Sequence, residues 1–356
     1  MLGGNTVHLN FNTTPGMNIP MVIANQDNLK ASPTPLLHFI SEYHDEIIQK
    51  LNQYGAIVLR GFSCQEENCF SKAIELCALG TRCSTSDYDL PRTVLANEIY
   101  TSSDLPAHIP LPLHHEKPRS PKPPNHIYFC CIIPPQEGGG TIFANAEEIW
   151  IDMPQDIQNK ILEYGVQYKQ FFHGQSVKYR VLRKILGNHC ARSWVDYFGT
   201  EDKTQIEQNL TQKQVVWDWI NHGNDLIILN YLPGALKHPL TDKIAWFNSS
   251  AYLNYYSNLN YYSNLNYGEL KNLRSFKYWA SRYLILKDML PMICHYGNGQ
   301  AFSAKEISEI NQVIQRHTRV FHWQKGDFMI VDNFTFMHGK QAHVGERLLY
   351  SCMTAY

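Results

Sequence analysis

Apolar residues recur with helical spacing early in the chain and form short continuous runs in its middle and at its end. The helical spacing covers residues 34–54, 68–80 and 144–163, and a further helix is predicted within 204–222. The first of these stretches ends at Gly55, and glycine is typical of the position that follows a helix. The pattern therefore predicts amphipathic helices that cluster early in the chain and buried strands that dominate its middle and end.

The continuous apolar runs predict strands because they are short and rich in β-branched and aromatic residues. They are AIVLRGF at 56–62, HIYFCCIIPP at 126–135, TIFANA at 141–146, GDFMIVDNFTFMHG at 326–339 and RLLYSCMTAY at 347–356. Glycines 138–140 predict a turn before the third run, and the Pro-, Ser- and Thr-rich stretch 83–124 has little periodicity.

No change in composition marks a linker between these elements. We therefore expect one α+β domain over residues 1–356, in which a β core carries flanking and inserted helices. Residues 249–270 are rich in Asn and Tyr and contain NYYSNL twice, at 254–259 and 260–265. Two six-residue copies are too few to build a solenoid, so we predict an inserted surface loop. Its tyrosines could alternatively belong to a lid over a site.

Composition narrows the class of protein. The chain has 356 residues, 44% of them hydrophobic, and a formal net charge of -1, which gives no reason to expect a nucleic-acid or anionic-membrane partner. Neither a membrane-spanning run nor a secretory signal is visible. The nine cysteines form no CxxC pair, which favours a reduced, cytoplasmic protein.

The triplet His-x-Glu occurs twice, and the expected backbone separates the two copies. His44 and Glu46 lie in a helical stretch, where positions i and i+2 point about 200° apart around the axis. His114 and Glu116 lie in a proline-flanked extended stretch, where i and i+2 project to the same face. Only the second pair can therefore chelate one metal ion. His115 is expected to face the other way, in a packing or supporting role.

Two histidines and one carboxylate on one face of an octahedral ion leave three positions open, the arrangement of non-haem Fe(II) oxygenases. The second histidine must come from further along the chain. Candidates are His295, His317, His322, His338 and His343. His338 comes just past an apolar strand, in a turn bearing Gly339, and can project from the rim of the β core.

Several motifs in the same order resemble the taurine dioxygenase (TauD/TfdA) superfamily, and within it the branch of syringomycin-type amino-acid hydroxylases. The matching segments are 55–62, 91–93, 99–102, LHHE at 113–116, FCCIIPPQEGGGT at 129–141, Trp194 with 198–200, 245–248 and GDFMIVDNFTFMHGKQAHVGER at 326–347. They cover nearly the whole chain, which makes the resemblance far more specific than one His-x-Glu.

The resemblance implies a double-stranded β-helix (jelly-roll) core that binds Fe(II) and the co-substrate 2-oxoglutarate. It assigns His114, Glu116 and His338 to the iron, and Thr141 and Arg347 to 2-oxoglutarate. The residue types suit that assignment, because a distal carboxylate is best held by a planar, permanently charged guanidinium. Thr141 adds a hydroxyl beside a glycine turn that permits close approach.

Three positions depart from the family pattern. Ser351 stands where a second arginine is frequent, His115 where Asn is frequent, and Lys340 where Arg is frequent. A sulfonate or second carboxylate near the iron would need a fixed cation, which Ser351 cannot supply. We therefore expect an amino acid or amino-acid-derived metabolite as substrate, free or attached to a carrier protein, although Lys340 or Arg92 could compensate.

The expected reaction is the hydroxylation of an unactivated C–H bond in secondary metabolism. The same iron centre could instead serve a desaturase, epimerase or cyclase, because the outcome depends on how the substrate is placed. Two alternatives come from other classes: a zinc hydrolase, since zinc also accepts two histidines and a carboxylate, and a non-catalytic jelly-roll binding protein.

Overall fold

The computed structural model describes residues 11–13, 19–23, 34–62, 64, 66–84, 92–186, 192–257 and 290–356. In these ranges the chain contains both helices and strands. The helices are α1 Thr34–Glu42, α2 His44–Tyr54, α3 Glu67–Cys77, α4 Ala146–Asp152, α5 Gln155–Tyr164, α6 Val177–Leu186, α7 Trp194–Phe198, α8 Lys203–Gln212 and α9 Ala304–His317. The strands are β1 Phe11–Thr13, β2 Pro20–Ile23, β3 Ala56–Arg60, β4 Thr81–Arg82, β5 Tyr100–Thr101, β6 Leu111–His114, β7 His126–Ile133, β8 Glu137–Gly138, β9 Thr141–Asn145, β10 Val166–Phe172, β11 Val216–Ile220, β12 Asp225–Leu232, β13 Ala235–Lys237, β14 Ile244–Trp246, β15 Met292–Tyr296, β16 Arg319–Phe321, β17 Phe328–Asp332, β18 Phe336–Lys340, β19 His343–Val344 and β20 Leu348–Ala355.

The largest sheet has eight strands in the order β1-β2-β3-β17-β7-β20-β4, with β5 beside β20. Successive side chains of a strand point to opposite faces, and both faces of this sheet are covered. Ile57 and Leu59 of β3 pack with α1, α2 and α3, whereas Ala56 and Val58 belong to the core on the other side. This burial on both faces explains why the strand reads as a continuous apolar run.

A second sheet of four strands, in the order β16-β9-β18-β6, shares that other core with the large sheet. Phe143 of β9 and Phe336 of β18 pack in one cluster with Phe129 and Met329 of the large sheet. Strands β6 and β18 are antiparallel neighbours. The small sheet therefore holds its strands directly against the main apolar core.

A third sheet, β11-β12-β10-β15, has its own apolar cluster with α7 and α8. Helices α4, α5 and α9 pack on another cluster that also contains residues of β10 and β15. The pairs β13-β14 and β19-β8 complete the sheets. The loop that follows β6 is tied to this region, because the Asn230 amide of β12 donates to the Arg119 carbonyl at 2.6 Å.

Several predicted elements are divided in the structure. The 34–54 helix breaks at Tyr43, and the 144–163 helix breaks at Met153, just before Pro154. Residues 326–339 form two strands rather than one. Within 204–222, α8 confirms the predicted helix, and 216–220 form β11, a strand that was not predicted. Helices also continue to α9 near the C-terminus, so the expectation that they cluster early is wrong.

Single-domain organisation stays a prediction. The NYYSNL duplication lies largely outside the described residues, which stop at 257 and resume at 290. Among the helices that the structure describes, none combines the length and apolar character needed to span a bilayer.

Candidate functional site

Strand pairing brings the two predicted histidine ligands together. His114 is the last residue of β6 and pairs in register with His338 of β18, and their ring centroids lie 4.5 Å apart. His338 therefore projects from within a strand, not from a turn as the sequence suggested. The strands approach closely because Gly339 has no side chain: a Cβ there would lie 2.5 Å from the Leu111 carbonyl oxygen.

Glu116 lies just beyond β6, where Asn333 fixes its backbone. The Glu116 N–H donates to the Asn333 side-chain oxygen at 2.8 Å, and the Asn333 amide donates to the Glu116 carbonyl at 3.0 Å. The same amide also donates to the Pro124 carbonyl at 2.9 Å. Asn333 is fully buried and follows β17, so it holds the loop after β6 against the large sheet.

The side chains of His114, Glu116 and His338 form a buried group whose ligand atoms all lie within 4.8 Å of one another. His114 Nδ1 lies 2.8 Å from the Pro112 carbonyl oxygen, so Nδ1 carries the proton and Nε2 keeps its lone pair. That Nε2 and Glu116 Oε2 are buried and have no hydrogen-bond partner among the residues that the structure describes. Buried polar atoms of this kind are costly, and a divalent cation between them would satisfy both. The residues present thus fit a metal ion.

Burial and nearby charge favour the metal-binding forms of Glu116 and His114. Burial alone would raise the pKa of Glu116, but Arg92, whose Nη2 lies 2.7 Å from Glu116 Oε1, holds it well below its ordinary value. His338 Nε2 lies 3.4 Å from the same oxygen. Burial, then the neighbouring His338, lowers the pKa of His114 to about 3. An anionic carboxylate and a neutral imidazole are the forms that ligate metals.

His115 points away from the metal-binding group, as its position between His114 and Glu116 predicted. Its Nδ1 lies 2.6 Å from the Asn333 carbonyl oxygen and its Nε2 lies 2.8 Å from the Trp246 carbonyl oxygen. The ring stacks on Phe247 at a centroid distance of 4.1 Å. His115 therefore joins the loop after β6 to the loops after β17 and β14.

Thr141 and Arg347, the two residues predicted to bind the co-substrate, lie in contact. Arg347 Nη2 donates to the Thr141 hydroxyl at 3.3 Å, and Arg347 Nε donates to the Gly139 carbonyl at 2.9 Å. The indole N–H of Trp323 also donates to the Thr141 hydroxyl, at 2.7 Å. Arg347 Nη1 lies 3.4 Å from the Ser102 hydroxyl. The guanidinium thus has neutral partners, and burial lowers its pKa to about 10.

Lys340 and Ser351, which depart from the family pattern, are both buried. Lys340 is 4% exposed, and its ammonium donates to the Leu105 carbonyl at 3.3 Å. Burial, then the nearby Arg347, lowers the pKa of Lys340 to about 8. Ser351 is 2% exposed and donates to the Tyr100 carbonyl at 3.4 Å. Ser351 therefore packs on β20 and supplies no charge.

A cavity of about 590 Å³ opens beside the loop that follows Glu116. Residues 117–121 form one wall, and Tyr168 and Tyr231 of the third sheet contribute to another. The described lining contains Arg119 and Lys213 but neither Asp nor Glu. Its polarity therefore suits a small molecule with an anionic group and an apolar or planar body.

Sequence reasoning missed most of the residues that support the predicted site residues. Asn333, Trp323 and Ser102 make their contacts across more than 180 residues of sequence. The sequence suggested Arg92 only as a cation that could compensate for the arginine absent at position 351, whereas the structure pairs it with Glu116. The motif at 91–93 marked Arg92 but could not show its partner.

Comparison with known proteins agrees with this geometry. Residues 32–353 match the profile of the taurine catabolism dioxygenase TauD, TfdA family. The dapdiamide synthesis protein DdaC of Enterobacter agglomerans is 25% identical over 304 residues, which cover 85% of this chain and 83% of that protein. A clavaminate synthase-like protein of Arabidopsis thaliana is 20% identical over 301 residues, covering 82% and 78% of the two chains.

Among solved structures, the complex of AAD-2 with Mn(II) and N-oxalylglycine superposes with a TM-score of 0.51. It is 11% identical in sequence and covers 98% of this chain and 97% of its own, which shows a shared fold. The family match covers most of the chain and sets aside the zinc-hydrolase and binding-protein alternatives. The chain belongs to the TauD/TfdA family, and it is an Fe(II)- and 2-oxoglutarate-dependent dioxygenase.

Proposed function

We propose that this dioxygenase hydroxylates an unactivated C–H bond of an amino acid or amino-acid-derived small molecule, free or attached to a carrier protein. In this proposal His114, Glu116 and His338 hold Fe(II), and Thr141 and Arg347 bind the distal carboxylate of 2-oxoglutarate. The observation that carries it is the buried three-residue group, in which two ligand atoms, His114 Nε2 and Glu116 Oε2, have no partner in the described part of the chain.

We assign the two sheets that share the central core to a double-stranded β-helix. The eight-stranded and four-stranded sheets pack their inner faces together, as the two halves of a jelly roll do. The proposed iron ligands come from one end of the small sheet and from the loop after β6. The rigid β6–β18 pair would then set the distance between the two histidines.

O2 is the oxidant of the reaction, and Fe(II) and 2-oxoglutarate, when bound, would supply the chemistry that activates it, with 2-oxoglutarate oxidised to succinate and CO2. The protein contributes position and a dry environment. Arg92 holds Glu116 Oε1 and keeps the carboxylate anionic, and Asn333 fixes the backbone on which it stands. Phe129 packs edge-on against the His338 ring at 5.4 Å, which excludes water from that side.

The substrate class is supported by the relatives and by the cavity. One relative is named for dapdiamide synthesis and another for its likeness to clavaminate synthase. The cavity beside residues 117–121 offers basic and aromatic side chains at the loop that carries Glu116. Ser351 leaves the final strand without a second cation for a sulfonate, which favours amino-acid chemistry over taurine.

The test is a substrate screen read as release of succinate that depends on both Fe(II) and 2-oxoglutarate. The panel contains free amino acids, aminoacyl groups on carrier proteins, and taurine, with products identified by mass to separate hydroxylation from desaturation or cyclisation. Turnover that is restored by Zn(II) in iron-free protein would refute the metal assignment. Fastest turnover with taurine would refute the substrate class.

Two variants test the assigned residues in the same assay. His338→Ala should abolish succinate release, and Arg347→Ala should raise the 2-oxoglutarate concentration required by about 10- to 100-fold, the value of a lost charged hydrogen bond. His317→Ala is the matched control, because its ring contacts Glu148 and Asp152 instead. Full activity in His338→Ala would exclude His338 as a ligand.

A further inference from the structure

Lys340 is a buried cation for which the described part of the chain supplies no counterion. Its ammonium has one hydrogen bond there, to the Leu105 carbonyl, and the charged group that acts on it is another cation, Arg347. Two other cations in the described part of the chain have carboxylate partners: Arg60 lies 2.7 Å from Asp327, and Lys160 lies 2.8 Å from Glu306. An unpaired buried charge costs several kcal/mol, so Lys340 points to an anion that binds from solution.

The strands place Lys340 in line with the proposed iron site. It lies two residues after His338 on β18, so both side chains project from the same face of that strand. Its register partner on β9 is Thr141, whose hydroxyl contacts Arg347. Two residues along a strand span about 7 Å. A five-carbon diacid has the length to reach from a metal at His338 to Lys340, whereas oxalate does not.

We propose that Lys340 is the second cation that binds the distal carboxylate of 2-oxoglutarate, together with Arg347 and Thr141. This inference rests on the proposed assignment of the iron and co-substrate sites. The long contacts of Arg347, at 3.3 and 3.4 Å to two hydroxyls, leave its outer nitrogens able to turn toward a carboxylate. Both cations would then share one anion.

The experiment measures binding without turnover. Protein loaded with Mn(II) is titrated with 2-oxoglutarate and with oxalate by calorimetry, in wild type, Lys340→Met and Lys340→Arg. Lys340→Met should weaken 2-oxoglutarate binding by about 10- to 100-fold, and Lys340→Arg should restore most of it. Oxalate, which lacks a distal carboxylate, should bind all three equally. Lys160→Met is the control for the loss of a lysine elsewhere.

Thermal unfolding gives a second readout. Lys340→Met should unfold at a higher temperature than wild type without ligand, because it removes an uncompensated buried charge, and should gain less from added 2-oxoglutarate. A purely structural lysine would show the opposite: lower stability and unchanged 2-oxoglutarate affinity. That result, or weaker binding of the substrate alone, would overturn the inference. If wild type binds no 2-oxoglutarate at all, the proposed function itself fails.

Discussion

Replacing Asn333 should lower both the stability of the fold and the affinity of the proposed metal site, and a control variant distinguishes the two effects. Its side chain makes three hydrogen bonds, to the Glu116 N–H, the Glu116 carbonyl and the Pro124 carbonyl, at 2.8, 3.0 and 2.9 Å. The residue is fully buried, so water cannot replace these partners. At about 1 kcal/mol each, with a further cost for unsatisfied buried groups, Asn333→Ala should lower the free energy of unfolding by roughly 3–5 kcal/mol.

The same change should weaken metal binding. Glu116 loses both backbone contacts to Asn333, and residues that orient metal ligands typically account for about 10- to 100-fold in affinity. Urea unfolding would give the stability change, and titration of metal-free protein with Mn(II) would give the dissociation constant. Titration is performed in buffer where unfolding curves show the variant to be folded.

Asn145→Ala is the matched control. Asn145 caps α4, and its side-chain oxygen accepts from the N–H groups of Glu147 and Glu148. Its loss should cost about 1 kcal/mol and leave metal affinity unchanged. If Asn333→Ala keeps wild-type Mn(II) affinity while losing stability, the link between Asn333 and the position of Glu116 is refuted.

Three further predictions concern strand spacing, acid stability and coordination. Gly339→Ala places a Cβ against the Leu111 carbonyl, so it should push β18 from β6 and weaken Mn(II) binding at least tenfold in the same titration; unchanged affinity would contradict the close-approach argument. Burial alone would raise the pKa of Glu306, but hydrogen bonds led by that from Lys160 lower it to about 2. Ionised Glu306 therefore stabilises the fold above its ordinary pKa of 4.5, and this stabilisation is lost as the pH falls toward 2. Over that pH range the free energy of unfolding, measured with urea, should fall by about 2–3 kcal/mol more in wild type than in Glu306→Gln. Because Glu116, as a proposed iron ligand, would occupy the position that a halide needs, products formed in chloride buffer should carry no chlorine by mass spectrometry.

Two members of the proposed metal site, His114 and Glu116, could be predicted because their pattern is local. His114 and Glu116 are two residues apart, and the alternation of an extended chain predicted them on one face, although β6 ends at His114 and Asn333 holds Glu116. His338 could not be placed by spacing alone, since it competed with four other histidines, and the family resemblance selected it. Its pairing with His114 depends on the register of β6 and β18, which the sequence does not specify.

Two elements that were not predicted had usable signals. Residues 216–220, VWDWI, are rich in β-branched and aromatic residues, which is typical of a strand, but only a helix was predicted within 204–222. Helix α9 carries a capping box, Ser303 with Glu306, ahead of apolar residues at helical spacing. The splits at Tyr43 and Met153 were less visible, because both halves keep helical periodicity.

The parts of the site are held in different ways, and this gives each variant its own signature. Strand pairing fixes His338 and Lys340 together, because both lie on β18 between β6 and β9. Side-chain hydrogen bonds from Asn333 fix Glu116 alone. Gly339→Ala, which moves β18, should therefore weaken both Mn(II) and 2-oxoglutarate binding. Asn333→Ala should weaken Mn(II) binding and leave the affinity for 2-oxoglutarate at saturating metal near the wild-type value. Lys340→Met should weaken 2-oxoglutarate binding and leave the affinity for Mn(II) near the wild-type value. A site in which all three variants lose both affinities in proportion would instead behave as one cooperative unit, and the separate assignments would not stand.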